Sequence, residues 1–150
     1  MIVVDASILA NLIGDDGADG DRAREVVDGH ELSLPDLADV EVVSVLRRRW
    51  LAKTMTARRF AAAVDDLGAL PADRYPALPF LPRAYQLRAH VGARDATYVA
   101  LAEQLDCALV TADRRLASAP GPRCAITLIS TPVSRAGEPG QAEARAPIRR

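Results

Sequence analysis

Ile2-Val3-Val4-Asp5-Ala6-Ser7 opens the chain with a short, continuous apolar run that ends on a carboxylate. A run of that kind suits a central strand covered on both faces, as strands are in a mainly parallel sheet. Near the other end, Cys107-Ala108-Leu109-Val110-Thr111-Ala112-Asp113 repeats the pattern, again with an acid just past the strand. Between and around these runs, β-branched stretches alternate with longer helical ones, the signature of βαβ units.

Working outward from Asp5, residues 7–13 read as a short helix, and the acidic, Gly-containing loop 14–20 leads into a helix over 21–28. A strand over 31–34 follows. Pro35-Asp36 then opens a long helix to residue 53, with Asp36 as its cap. Thr56 starts the next helix, 57–67, which ends near Gly68. Pro71, Pro76, Pro79 and Pro82 make 71–82 an extended connection before a helix over 83–90. Gly92-Ala93-Arg94 breaks the chain ahead of a helix over 95–105; a strand over 107–111, a short helix over 113–119 and a last strand over 125–130 complete the pattern. The expectation is a single α/β/α domain over 1–131. Residues 132–150 are Pro, Gly, Ala, Glu and Arg without periodicity or aromatics, and read as a disordered tail.

A chain of 150 residues, 49% apolar and 26% charged, suffices for one domain with a sizeable core. No apolar run reaches the roughly 20 residues that span a bilayer, and the chain begins in strand-like sequence without a basic leader, so a cytoplasmic protein with no membrane contact is expected. Cys107 and Cys124 stand at a spacing that matches no metal motif and read as buried, reduced thiols. The net charge of −1 excludes a protein that coats nucleic acid by bulk positive charge. Aromatics at 4% exclude a base-stacking platform. Arginines nevertheless cluster, at Arg47-Arg48-Arg49, Arg58-Arg59 and Arg114-Arg115.

Ligands of open α/β sheets bind beyond the carboxyl ends of the strands, where Asp5 and Asp113 both fall. If their strands are neighbours, the two carboxylates converge; singly, each could equally cap a turn or helix. Glu41 lies on the helical arc of Leu37, Ala38, Val42 and Val45, the face that should meet the sheet, where an unpaired charge is costly. It calls for a cation. Asp95 reads either as the cap of the helix that follows it or as a ligand projecting toward the sheet edge. Four carboxylates in one place would repel unless a cation compensated them, and an all-oxygen set without His or Cys clusters suits magnesium or manganese rather than zinc. Such a site can carry out metal-assisted hydrolysis of a phosphodiester.

The segments Val4-Asp5-Ala6-Ser7, Leu34 to Arg48, Arg94 to Glu103 and Leu109 to Leu116 together resemble the PIN domain, and specifically the VapC-type toxins of bacterial toxin–antitoxin pairs. The resemblance spans residues 1–131. It implies an RNA endonuclease with Asp5, Glu41, Asp95 and Asp113 as the acidic quartet that binds magnesium or manganese. Ser7 and Thr111 occupy positions where the family often places hydroxyls beside the metal. The resemblance also implies a homodimer and a partner antitoxin that inserts a segment into the groove. Two departures stand out: Arg94 replaces an aromatic residue before the third acid, and Ser44 replaces an Asn one turn after the second.

Arg114, Arg115 and Arg94 adjoin the expected site and could receive RNA phosphates, since guanidinium binds them in bidentate fashion. Arg47 to Arg49 read either as phosphate contacts or as a solvated helix face. His30 and His90 have no partners at catalytic spacing. The aromatics read as core or dimer contacts. From another class, the alternative is a catalytically inactive module of the same fold that acts by binding a partner. A receiver or haloacid-phosphatase domain is disfavoured because Val4-Asp5-Ala6-Ser7 lacks the acidic doublet those families use.

Overall fold

The computed structural model describes residues 1–129. The expected tail at 132–150, the domain end at 131 and the last residue of the expected final strand lie outside the described residues. Five strands, β1 (Ile2–Val4), β2 (Leu32–Pro35), β3 (Ala72–Tyr75), β4 (Leu109–Thr111) and β5 (Ile126–Leu128), form one parallel sheet in the order β3-β2-β1-β4-β5. Chain order departs to one side of β1 and returns on the other, which makes the carboxyl ends of β1 and β4 the natural binding crevice. Val3 and Val4 face opposite sides of the sheet and are both fully buried, so both faces are covered.

The helices are α1 (Ala6–Gly14), α2 (Ala18–Val27), α3 (Leu37–Leu51), α4 (Ala57–Ala69), α5 (Leu81–Leu87), α6 (Ala93–Gln104) and α7 (Arg114–Ala117). α1 packs against α2, α3 and α4, while α6 lies on β1, β2 and β4 and pairs with α5. At Gly14 a Cβ would come within 2.5 Å of Leu46 Cδ2, so glycine sets the close approach of α1 to α3. Arg49 of α3 donates to the carbonyl of Ala10 at 3.0 Å and to Asn11 Oδ1, tying the same two helices. Arg74 of β3 grips Asp39 of α3 through two nitrogens, at 2.7 and 3.2 Å. These links fix the helix that carries Glu41.

Several local expectations are corrected. Residues 72–75, expected as part of an extended connection, pair with β2 as a strand. Ala72-Asp73-Arg74-Tyr75 is an edge strand with two exposed residues, so it lacks the apolar alternation by which strands are recognised, and Pro71 and Pro76 sit just outside it. Leu78–Phe80 is a 3-10 turn, and α5 starts before Pro82, which is tolerated in a first helical turn because its missing N–H has no intrahelical partner there. α2 begins at Ala18, inside the expected loop. Asp36 holds the cap position of α3 as expected, but its carboxylate accepts no bond from that helix and instead accepts from the Ala77 amide at 3.1 Å. The cysteines are free thiols but half-buried rather than buried. Among the aromatics, Phe80 and Tyr98 are buried, whereas Trp50 and Tyr85 are exposed. No helix among the described residues is long and apolar enough to cross a membrane.

Away from the crevice, Glu103 of α6 accepts from Arg83 of α5 at 2.7 and 3.0 Å and from the Arg123 amide at 2.8 Å, joining α6 to the segment that leads into β5. The Arg83 guanidinium holds its carboxyl below the ordinary value. A depressed acid contributes stability above its unfolded pKa and loses it as the pH falls. Glu103→Gln should therefore cost roughly 1.5–3 kcal/mol at pH 7. The gap from wild type should close as the pH drops below about 4.5, the ordinary glutamate value. Urea unfolding at stepped pH measures both.

Candidate active site

The backbone of β1 ends where the Asp5 amide donates to the Val110 carbonyl at 3.1 Å, so the residue after β1 is locked beside β4. The sequence expectation that these strands are neighbours is met, and Asp5 and Asp113 leave them on the same side. Asp5 caps α1. Its Oδ1 accepts from the Ser7 amide at 2.9 Å, the Ser7 hydroxyl at 2.5 Å and the Ile8 amide at 3.2 Å, while Oδ2 accepts from the Thr111 hydroxyl. Thr111 is fully buried, and its oxygen in turn accepts from the Asp113 amide at 3.0 Å. One hydroxyl thus couples two of the acids. Burial nevertheless outweighs all four hydrogen bonds and pushes the Asp5 carboxyl above its usual range.

Glu41 reaches the crevice from α3. Its Oε2 accepts from the Tyr98 hydroxyl at 2.5 Å. Tyr98, buried on α6, is a site residue that the sequence reading placed with the core and dimer contacts. Nothing in the sequence links positions 41 and 98; only the helix register, three residues past Asp95, could have suggested it. Burial and the neighbouring Glu41 push the Tyr98 hydroxyl far above the ordinary tyrosine value, so it remains a donor. Glu41 Oε1 is buried and makes no hydrogen bond. Its nearest cation is Arg94, whose Nε lies 2.9 Å away, a charge contact without hydrogen-bond geometry. Burial raises the Glu41 carboxyl, and the negative charges of Asp95 and Asp5 add to the effect; Tyr98 and Arg94 oppose it.

Asp95 does not cap α6. Gly92 holds the cap position, and Asp95 falls in the first helical turn with its side chain a third exposed. Its carboxylate is thereby left free of the capping role that competed with ligation in the sequence reading. Asp113 does cap the short α7, accepting from the Arg115 amide at 2.8 Å and lying 3.4 Å from the Arg115 guanidinium. Desolvation is the largest influence on Asp113 and acts upward, but the Arg115 contacts and the Leu116 amide together hold its carboxyl below the usual range.

The four acids line one cleft of about 290 Å³, together with Ser7, Val45, Arg48, Arg94 and Tyr98. Arg115 borders an adjoining hollow with Asp95 and Asp113, and Arg114 is exposed outside both. Arg49 is spent on α1, leaving Arg48 as the member of its cluster that faces the cleft. Ser44 is exposed and bonds back to the Val40 carbonyl at 2.8 Å.

The donor set is all oxygen, one buried carboxylate oxygen lacks a partner, and two of the acids are raised by burial, Glu41 also by the charges of Asp95 and Asp5. Those properties fit a hard divalent cation. Among the described residues no three acidic, imidazole or thiol groups stand close enough together to hold a metal ion as they are placed. The more exposed Asp95 and Asp113, with water, would have to complete the coordination.

Thr111→Val keeps the buried shape but strips Asp5 of a donor. It should destabilise the fold by about 1.5–3 kcal/mol at pH 7, the usual cost of losing a hydrogen bond to a charged group. Thr111→Ser should recover most of that loss in chemical denaturation.

A family model described as PIN domain matches residues 2–122. Ribonuclease VapC9 of Mycobacterium tuberculosis is 40% identical over 129 residues, covering 86% of this chain and 98% of the relative. Two solved structures share the fold. That of PAE2754 from Pyrobaculum aerophilum has a TM-score of 0.62 at 20% identity, covering 83% of this chain and 81% of that one. That of VapBC2 from Rickettsia felis, bound to a DNA fragment from their promoter, has a TM-score of 0.61 at 12% identity, covering 87% and 100%. With a strand order, an acidic crevice and a sequence that all agree, the chain belongs to the PIN-domain family, among the VapC-type ribonucleases.

Proposed function

We propose that this chain is the toxin of a toxin–antitoxin pair, an endoribonuclease that hydrolyses RNA phosphodiester bonds with magnesium or manganese. The observation that carries the reading is the single cleft lined by Asp5, Glu41, Asp95 and Asp113, with all-oxygen donors and a buried, unpartnered Glu41 oxygen. Likeness to named ribonucleases at 40% identity over nearly their whole length supports the same chemistry.

The quartet would hold the metal, which when bound supplies an activated water and neutralises charge on the phosphodiester. The chain's own groups prepare that place. Ser7 and Thr111 orient Asp5 through both carboxylate oxygens, and Tyr98 fixes one oxygen of Glu41 while the other carries no hydrogen bond. Arg48 and Arg94 flank the acids from α3 and α6 and give an RNA backbone two cationic contacts across the cleft. Arg115 and Arg114 extend that positive rim beyond Asp113. A looped or single-stranded RNA suits the cleft, because its backbone can enter where a regular duplex cannot. The resemblance to VapC-type toxins supports an antitoxin protein as partner, a homodimer as assembly and the cytoplasm as the place of action.

Purified protein should cut RNA when magnesium or manganese is supplied and stop when EDTA is added. Asp5→Asn should lower the rate by roughly 100-fold or more, since even supporting residues of a metal site account for 10- to 100-fold. A wild-type protein without metal-stimulated cleavage would leave the partner-binding module as the better account.

A further inference from the structure

Arg94 sits where a helix does not favour a cation. α6 is capped by Gly92, so Arg94 and Asp95 are its second and third residues, in the turn where the macrodipole attracts anions and repels positive charge. The Arg94 side chain nevertheless folds across the mouth of the cleft. Its Nε stands 2.9 Å from Glu41 Oε1 and 3.5 Å from Asp95 Oδ1, bridging carboxylates of two different helices. What holds it there is the negative charge of the cleft rather than the helix that bears it.

The two oxygens of Glu41 are held very differently. Oε2 is fixed by a directional bond from Tyr98, a rigid and buried donor. Oε1 is buried without any hydrogen bond, and faces only the guanidinium. Arg94 itself is 69% exposed, so it can leave toward solvent without breaking a packed contact and with a gain of side-chain freedom. The contact therefore supplies charge but little geometry, which is what a replaceable counter-ion requires.

We propose that Arg94 is a built-in counter-cation of the metal-free cleft, which neutralises Glu41 and Asp95 until a divalent ion displaces it and so competes directly with metal. The inference rests on the metal reading above. In the absence of metal the guanidinium lowers the repulsion among the clustered acids; on metal binding the same two carboxylates change partner, and Arg94 swings out. Metal affinity is then set partly by how strongly this arginine holds its place.

The test measures Mn2+ binding by titration calorimetry and by the electron spin resonance of free Mn2+, with thermal unfolding in EDTA and in Mn2+. Arg94→Ala should bind Mn2+ about 2- to 5-fold more tightly than wild type, the range expected for losing one partly exposed ion pair. In EDTA it should unfold about 2–4 °C lower, and its stabilisation by Mn2+ should be larger. Arg94→Lys should lie between. Arg48→Ala removes an equal charge that lines the cleft without touching Glu41 or Asp95, and should shift affinity less. Unchanged or weaker Mn2+ binding by Arg94→Ala would overturn the proposal, as would an equal gain in Arg48→Ala, which would mark a diffuse field effect. A wild-type protein that binds no Mn2+ would overturn the metal reading itself, and this proposal with it.

Discussion

Negative charge gathered in a place that water reaches poorly is the constraint from which the rest of this structure follows. Carboxylates from just beyond β1 and β4, from the second turn of α3 and from the first turn of α6 line one cleft. Burial alone makes the ionised forms of Asp5 and Glu41 unfavourable. Two backbone amides and the hydroxyls of Ser7, Thr111 and Tyr98 donate to them, and the guanidinium of Arg94 adds opposite charge without a hydrogen bond. Those donors compensate the charge incompletely, and the incompleteness is what suits the cleft to a hard cation.

The fold supplies that arrangement through its topology. A parallel sheet whose chain order reverses at β1 brings the ends of β1 and β4 together, where the Thr111 hydroxyl links Asp5 to the Asp113 amide, and α3 and α6 add the remaining acids. The rigid parts are held by contacts remote from the chemistry. Arg49 and Gly14 fix α1 on α3, the Arg74–Asp39 pair anchors the start of α3, and Glu103 links α6 to α5 and the approach to β5. The rim is made of exposed side chains, Arg94 and Arg115 among them. Such a division matches the needs of a hydrolytic site, in which ligands must be placed within fractions of an ångström while substrate enters and leaves.

The elements legible in the sequence were those whose residues announce their environment. Ile2–Val4 could only be comfortable inside a sheet, and the apolar face of α3 shows its orientation through period alone. β3 was illegible because an edge strand needs no apolar alternation: Asp73 and Arg74 face solvent, and pairing with β2 is what makes them extended. Asp36 reads as a cap, and Asp95 as either a cap or a ligand, because an acid before a helix usually serves as a cap. Asp36 does stand just before α3, yet its carboxylate turns to the Ala77 amide, and α6 begins after Gly92, ahead of Asp95; spacing along the chain expresses neither.

By itself the sequence determined which four acids could matter and that their company would be oxygen rather than sulfur or imidazole, because residue type dictates charge and ligand hardness wherever the chain goes. It also determined the parallel sheet, through runs too apolar to bear exposure. Tertiary structure alone decided who holds each acid. Tyr98 came to Glu41, Thr111 to Asp5 and Arg94 across the mouth of the cleft because hydrogen bonds and ion pairs depend on distances of about 3 Å in space. Separation along the chain, such as the 57 residues between Glu41 and Tyr98, carries no information about that distance until the fold has formed.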